Sequence, residues 1–147
     1  MTVYESLAVW LNDILSDPQN EFSPVPVVID LELVPNFKAS NGWQDTALFS
    51  NPNDLHFPMN GGQTRHVVTK TWYIKRDFLE FPSRLETERF MERLRKAIHK
   101  KALGAQYPND GRTWRKISVE GGVFPYQRAE NLSEAIYQVT LRLEYIE

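Results

Sequence analysis

One run of residues limits the fold more than any other part of the chain. From Ala135 to Tyr145 the apolar residues Ala135, Tyr137, Val139, Leu141, Leu143 and Tyr145 alternate with Gln138, Thr140, Arg142 and Glu144. Successive side chains of a strand point to opposite faces, so this period of two predicts a long half-buried β-strand over Ser133 to Ile146. Such a strand is stable only beside other strands and beneath something that covers its apolar face. The fold must therefore contain a sheet with a covering layer.

Two helices are predicted to supply that layer. Val3, Leu7, Trp10, Leu11, Ile14 and Leu15 fall at spacings of three and four, which places them on one helical face of a segment Val3 to Leu15. Thr2 and Glu5 form a capping box at its start, and Asp17-Pro18 stops it. A second start lies at Ser83, with Glu86 three residues on, and the helix is predicted to run to Leu103 with an apolar stripe of Leu85, Phe90, Leu94, Ala97, Ile98 and Ala102. Glu86, Glu88 and Glu92 come early and Arg95, Lys96, Lys100 and Lys101 late, an order that suits the helix dipole, and Gly104 sits where a C-terminal cap is expected.

Strands are predicted from Pro26 to Val34, from Gln63 to Lys75 and from Thr113 to Glu120. Gly121-Gly122 reads as a bend, and Phe124 to Asn131 as a loop. Between the first two strands, Asn36 to Gly62 holds Asn41-Gly42, Asn51-Pro52-Asn53, Pro58 and Asn60-Gly61-Gly62, all breaker signals. Its large apolar residues Trp43, Leu48, Phe49, Leu55, Phe57 and Met59 are unusual for a solvated linker, so it reads as a loop or arm that packs on something, such as a neighbouring copy. The expected fold is one α+β domain over residues 1–147. It has a four-stranded, mainly antiparallel sheet, two helices on one face and a long loop between the first two strands.

Composition narrows the function classes. A chain of 147 residues is within single-domain range, and 41% hydrophobic residues supply a core. A formal net charge of −2 is not that of a nucleic-acid binder, which gathers Lys and Arg until the domain is basic. The absence of cysteine removes disulfides, thiolate metal sites and cysteine nucleophiles. The start, Met1-Thr2-Val3-Tyr4-Glu5, has no basic region ahead of an apolar run, and no stretch approaches the roughly 18 apolar residues that span a bilayer. A soluble protein made inside the cell is expected.

No catalytic constellation emerges. His56, His66 and His99 show no metal-ligand spacing, and H-E-x-x-H is absent. Asp54 and His56 flank Leu55, a bare beginning of a metal site that reads more simply as solvated loop residues. Asp30 and Glu32 share a strand face, as in some metal-dependent nucleases, but also fit the wet face of a half-buried strand. Gly61-Gly62 and Gly121-Gly122 are not phosphate cradles. Arg89, Arg93, Arg95, Lys96, Lys100, Lys101, Arg112, Arg115 and Lys116 form a basic run, yet Glu86, Glu88 and Glu92 interleave with its start, which describes a solvated helix face or a subunit contact. No catalytic residue, metal or cofactor is expected.

The opening helix ending in Leu11-Asn12-Asp13-Ile14-Leu15, the strand Val27-Val28-Ile29-Asp30-Leu31, the helix Arg84 to Leu103 and the closing strand Tyr137-Gln138-Val139-Thr140-Leu141-Arg142-Leu143-Glu144-Tyr145 together resemble the phage tail terminator (tail completion) proteins. This group includes minor capsid proteins of phages of Gram-positive hosts. The match is one of size, order and texture over most of the chain. It implies a structural subunit of a ring, commonly a hexamer, that caps the tail tube, ends its polymerisation and offers a surface to the head or neck. Its partners would be further copies of itself, the tail-tube protein and the neck or head–tail connector. It would be made in the host cytoplasm and held at the head-proximal end of the virion tail, with the genome passing through the ring without sequence-specific contact. The resemblance implies no reaction and transfers no site residues. Candidate interface residues are Trp43, Leu48, Phe49, Leu55, Phe57 and Met59 from the loop, with Arg93, Lys96 and Lys100 from the second helix. A head-closure or neck protein of the same virion is the nearest alternative. A small metal-dependent nuclease using Asp30 and Glu32 is a more distant one.

Overall fold

A computed structural model describes residues 2–29, 53–77, 83–128 and 134–147. Helix α1 spans Val3–Ser16. The Thr2 hydroxyl accepts from the Glu5 N–H at 3.2 Å, and the Glu5 carboxylate accepts from the Thr2 N–H at 3.1 Å. At the other end the Asn20 side-chain amide donates to the Ile14 carbonyl at 2.7 Å, satisfying a helix-terminal acceptor. Helix α2 spans Arg84–Leu103 and opens on the same device, Ser83 with Glu86. Its buried residues are Phe90, Leu94, Ile98 and Ala102, a narrow stripe four residues apart. Leu85, expected within that stripe, is 55% exposed, because five residues of helix turn it roughly 140° away from Phe90, off the buried stripe.

The C-cap of α2 is Gly104, as the sequence predicts. Gly104 has an ordinary φ of −73°, while Ala105 takes the left-handed conformation at φ +53°. Gln106 N–H donates to the Lys101 carbonyl at 3.2 Å and Ala105 N–H to the Ala102 carbonyl at 3.0 Å, the paired bonds of a Schellman ending with alanine where glycine is usual.

Five strands form one sheet among the described residues, one more than expected: β1 (Val27–Ile29), β2 (Asn53–Pro58), β3 (Thr64–Asp77), β4 (Thr113–Arg128) and β5 (Glu134–Ile146). Every pairing is antiparallel. The order is β1, β3, β5, β4, and β2 also pairs with β3. Because β5 occupies one side of β3 from Arg65 to Asp77, β1 and β2 share the other side, β1 opposite Tyr73 to Lys75 and β2 opposite Thr64 to Thr69.

Strand β2 corrects the long-loop expectation. The last part of that segment is a hairpin arm, with Asn60–Gly62 as its turn and the Met59 N–H donating to the Gln63 carbonyl at 2.8 Å. Gly61 and Gly62 have φ of +79° and +76°, which an L side chain adopts only under strain. Pro58 ends β2, which pairs only with β3 among the described residues, a position where its missing N–H is tolerated. Residues 30–34 of the expected first strand, and 36–52 of the expected loop, lie outside the described residues.

The expected bend at Gly121-Gly122 and the first part of the loop after it are also corrected: β4 continues to Arg128, and residues 129–131 of that loop lie outside the described residues. Val119 faces Leu141 and Val123 faces Val139, so the glycines sit in a bulge that bends β4 without ending it. The long unbroken β5 offers ladder partners on both sides of the bulge, and the strand resumes.

Both helices pack on one face of the sheet, as the sequence predicts. Leu7, Leu11 and Ile14 of α1 and Leu94 and Ile98 of α2 meet Val68, Trp72, Ile74, Ile117, Tyr137, Val139, Leu141 and Leu143 in one cluster. Trp10 Nε1 donates to the Gln106 carbonyl at 2.7 Å, joining α1 to the α2–β4 connection. In that connection the Asp110 carboxylate accepts from Trp114 Nε1 at 2.9 Å and from Arg112 Nη1 at 2.7 Å. Burial opposes the charge of Asp110, but these bonds outweigh it and hold the carboxyl below the usual carboxylate range. The opposite face is more polar, with the Thr71 and Thr140 hydroxyls 2.8 Å apart and Arg65 paired with Glu144.

The strained alanine yields a test. A left-handed non-glycine residue costs about 1–2 kcal/mol, and glycine returns part of that through its freer unfolded chain. Ala105→Gly should therefore raise the unfolding free energy by about 0.5–1 kcal/mol, read from urea melts. A loss of stability would mean that the helix does not end this way in solution.

Candidate functional site

The β2–β3 hairpin has two chemically different faces, set by its register. Leu55 pairs with Val67 and Phe57 with Arg65 on the face away from the helices, while Asp54 pairs with Val68 and His56 with His66 on the helix side. One hairpin thus places an apolar patch and a titratable cluster back to back.

On the outer face Leu55 is 51% and Phe57 42% exposed, with Met59, 39% exposed, just beyond the strand. The Arg65 guanidinium lies 5.2 Å from the centre of the Phe57 ring and is also held by Glu144. These are three of the expected interface residues. Trp43, Leu48 and Phe49 lie outside the described residues, as do Asp30 and Glu32.

The expected basic contributors Arg93, Lys96 and Lys100 are exposed on α2, across the sheet from Leu55 and Phe57, so the structure does not gather the two sets into one patch. Arg93 Nη1 donates to the Glu21 carbonyl at 3.0 Å, tying α2 to the segment after α1. Lys96 lies 3.6 Å from Glu92, which also binds Arg95 at 2.7 Å, and Arg84 pairs with Glu88. Pairs of this kind match a solvated mixed-charge helix face and leave little concentrated positive charge for a phosphate backbone.

On the inner face His66 Nδ1 lies 3.2 Å from Asp54 Oδ1, and His56 Nε2 lies 3.6 Å from Asp54 Oδ2. The other nitrogen of His66, Nε2, is 3.7 Å from Glu147 Oε2. The His66 ring stacks on Tyr145 with centroids 4.8 Å apart and planes within 9°, and His56 meets it edge-on at 4.7 Å. Side-chain exposure is 12% for His66, 26% for Asp54 and 59% for His56, so the cluster runs from the edge of the core to solvent.

The surroundings disfavour further negative charge. Burial first, then the charges of Asp54 and Glu147, push the Tyr145 phenol up to about 12, and burial with Asp54 raises Tyr4 of α1 as well. Two imidazoles and a carboxylate in a negatively polarised corner can exchange protons or hold a cation.

Sequence reading missed this cluster because it sought spacing along the chain. Asp54 and His56 were legible as a pair, but His66 joins them only through the hairpin. The available signal was the Asn60-Gly61-Gly62 turn between two alternating runs, since residues equidistant from a tight turn face one another.

A groove of about 410 Å³ between α1 and residues 106–110 is lined by Val9, Trp10, Asp13, Lys101, Tyr107 and Asp110, but Trp10 and Asp110 are already engaged in the bonds that hold the fold. No helix among the described residues is long and apolar enough to cross a membrane.

Tyrosinate absorbance provides a test of the charged corner. The folded value of Tyr145 lies above the ordinary 10, so its neutral phenol stabilises the fold below about pH 10 and that contribution is lost as pH rises toward about 12. Comparison of wild type with Tyr145→Phe should remove a phenol that ionises near pH 12, and Asp54→Asn should shift that phenol downward. Removal of a phenol titrating near 10 would contradict the described surroundings. No family model, curated protein or solved structure matches the chain.

Proposed function

We propose that this chain is a structural virion protein, a subunit of a ring that caps a phage tail tube, ends its polymerisation and provides the surface for head or neck attachment. The observation that supports this reading most is the apolar outer face of the β2–β3 hairpin, with Leu55 and Phe57 exposed on a strand that pairs with β3 alone among the described residues. An outer strand carrying large exposed apolar residues is an aggregation hazard in an isolated molecule and an asset in a protein that docks. In a ring each subunit presents one patch to a different patch on its neighbour, and closure of the ring removes the free edges. The α+β architecture and the order of elements fit the resemblance as well.

The partners on this reading are further copies of the chain, the tail-tube protein and the neck or connector protein, and the ring is hexameric by resemblance. The chain performs no reaction in this role. It resides at the head-proximal end of the virion tail after synthesis in the host cytoplasm. The Arg65–Glu144 pair beside Phe57 supplies the polar rim that surrounds an apolar contact in typical interfaces.

Light scattering across a concentration series, with and without assembled tail tubes, tests the proposal. The expected result is a ring-sized species, or a smaller one that binds tube ends. The double variant Leu55→Asp, Phe57→Asp should keep its melting temperature within the narrow range usual for exposed substitutions and lose assembly or tube binding by at least roughly tenfold, the effect of removing about 1.4 kcal/mol of contact. A strict monomer that ignores tubes and binds the connector would favour the neck protein instead. Unchanged assembly of the variant would remove the hairpin from the interface.

A further inference from the structure

We propose that Asp54, His56 and His66 form a binding site for a divalent first-row transition ion, with zinc as the expected occupant. Asp54 and His56 are two residues apart on β2 and therefore share a face, and His66 is the cross-strand partner of His56. Their ligand atoms all lie within 4.8 Å of one another. Zinc binds imidazole nitrogen and carboxylate oxygen at about 2.0–2.2 Å, so tetrahedral ligand atoms sit roughly 3.3 Å apart. The carboxylate of Asp54 stands 3.2 Å from His66 Nδ1 and 3.6 Å from His56 Nε2, close to that spacing before any ion draws them in. The remaining closure falls to His56, the most exposed of the three side chains.

The surroundings suit a bound cation. The ring of His66 is fixed by its stack on Tyr145, and its second nitrogen faces Glu147 at 3.7 Å. A carboxylate hydrogen-bonded behind a ligating imidazole orients the ring around protein-bound zinc, and Glu147 stands in that place just beyond hydrogen-bond distance. Two nitrogens and one oxygen favour zinc, cobalt or nickel over magnesium and calcium, which prefer oxygen throughout. Three protein ligands leave the fourth position to water or to a group from a partner.

The ion would tie β2 to β3 at the level of His56 and His66, behind Leu55 and Phe57. It therefore holds the hairpin in shape whether or not that hairpin docks in a ring.

Calorimetric titration of the tag-free protein with zinc chloride should show one ion per chain, and magnesium chloride should show none. His56→Gln, at an exposed position that leaves the fold intact, should weaken zinc binding by at least roughly tenfold, and Glu147→Gln should weaken it by a similar factor. Zinc should shift the ring-nitrogen NMR signals of His56 and His66 and leave His99 unmoved. Absence of zinc binding, binding unaffected by His56→Gln, or a shift at His99 alone would overturn the proposal. None of these outcomes depends on tail tubes, so the site and the ring reading stand or fall separately.

Discussion

The pairing of β3 with β5 is the constraint on which the rest of this structure depends. It runs unbroken from Arg65–Ile146 to Asp77–Glu134 and sets which side chains of both strands face the helices. A slip of one residue would turn Val139, Leu141 and Leu143 to the polar face and expose Thr140 and Arg142 to the core. Burial of Leu7, Leu11, Leu94 and Ile98 against that face follows from the register, as does the place of β4 on the far side of β5. The hairpin inherits it too, because β3 is the strand against which β2 is aligned.

That inheritance explains how a short strand comes to have two chemically different faces. The pleat of β3 points Val67 outward and His66 and Val68 inward, so β2 must divide its own residues the same way. Leu55 and Phe57 become an apolar outer surface, and Asp54 and His56 meet His66 over Tyr145. On the proposed reading the outer surface docks and the inner cluster holds the hairpin in shape. The two properties belong to one element, and a substitution that disturbs the turn at Gly61 and Gly62 disturbs both.

Much of this was legible in the sequence because it rests on local periodicity. Both helices, their capping boxes, the closing strand and the one-sided helix layer follow from spacings of three, four and two. What failed did so where a local signal has two structural meanings. Gly121-Gly122 reads as a chain break, yet with β5 alongside it is a bulge. Asn60-Gly61-Gly62 reads as loop, yet between alternating runs it is a hairpin turn. Gly104 caps α2 as expected, but the left-handed residue that follows it is Ala105, which no local signal marked. The candidate site was half visible: Leu55, Phe57 and Met59 were singled out for their size, but the His66 contribution depends on cross-strand pairing, which no linear spacing encodes.

The most direct test of the ring reading is the length of tail tubes grown in the presence of this chain. Phage tail-tube protein, allowed to polymerise with a small molar fraction of the chain, should on that reading give shorter tubes, each with added density at one end in negative-stain electron microscopy. Tubes of unchanged length, with bare ends at every ratio, would contradict it.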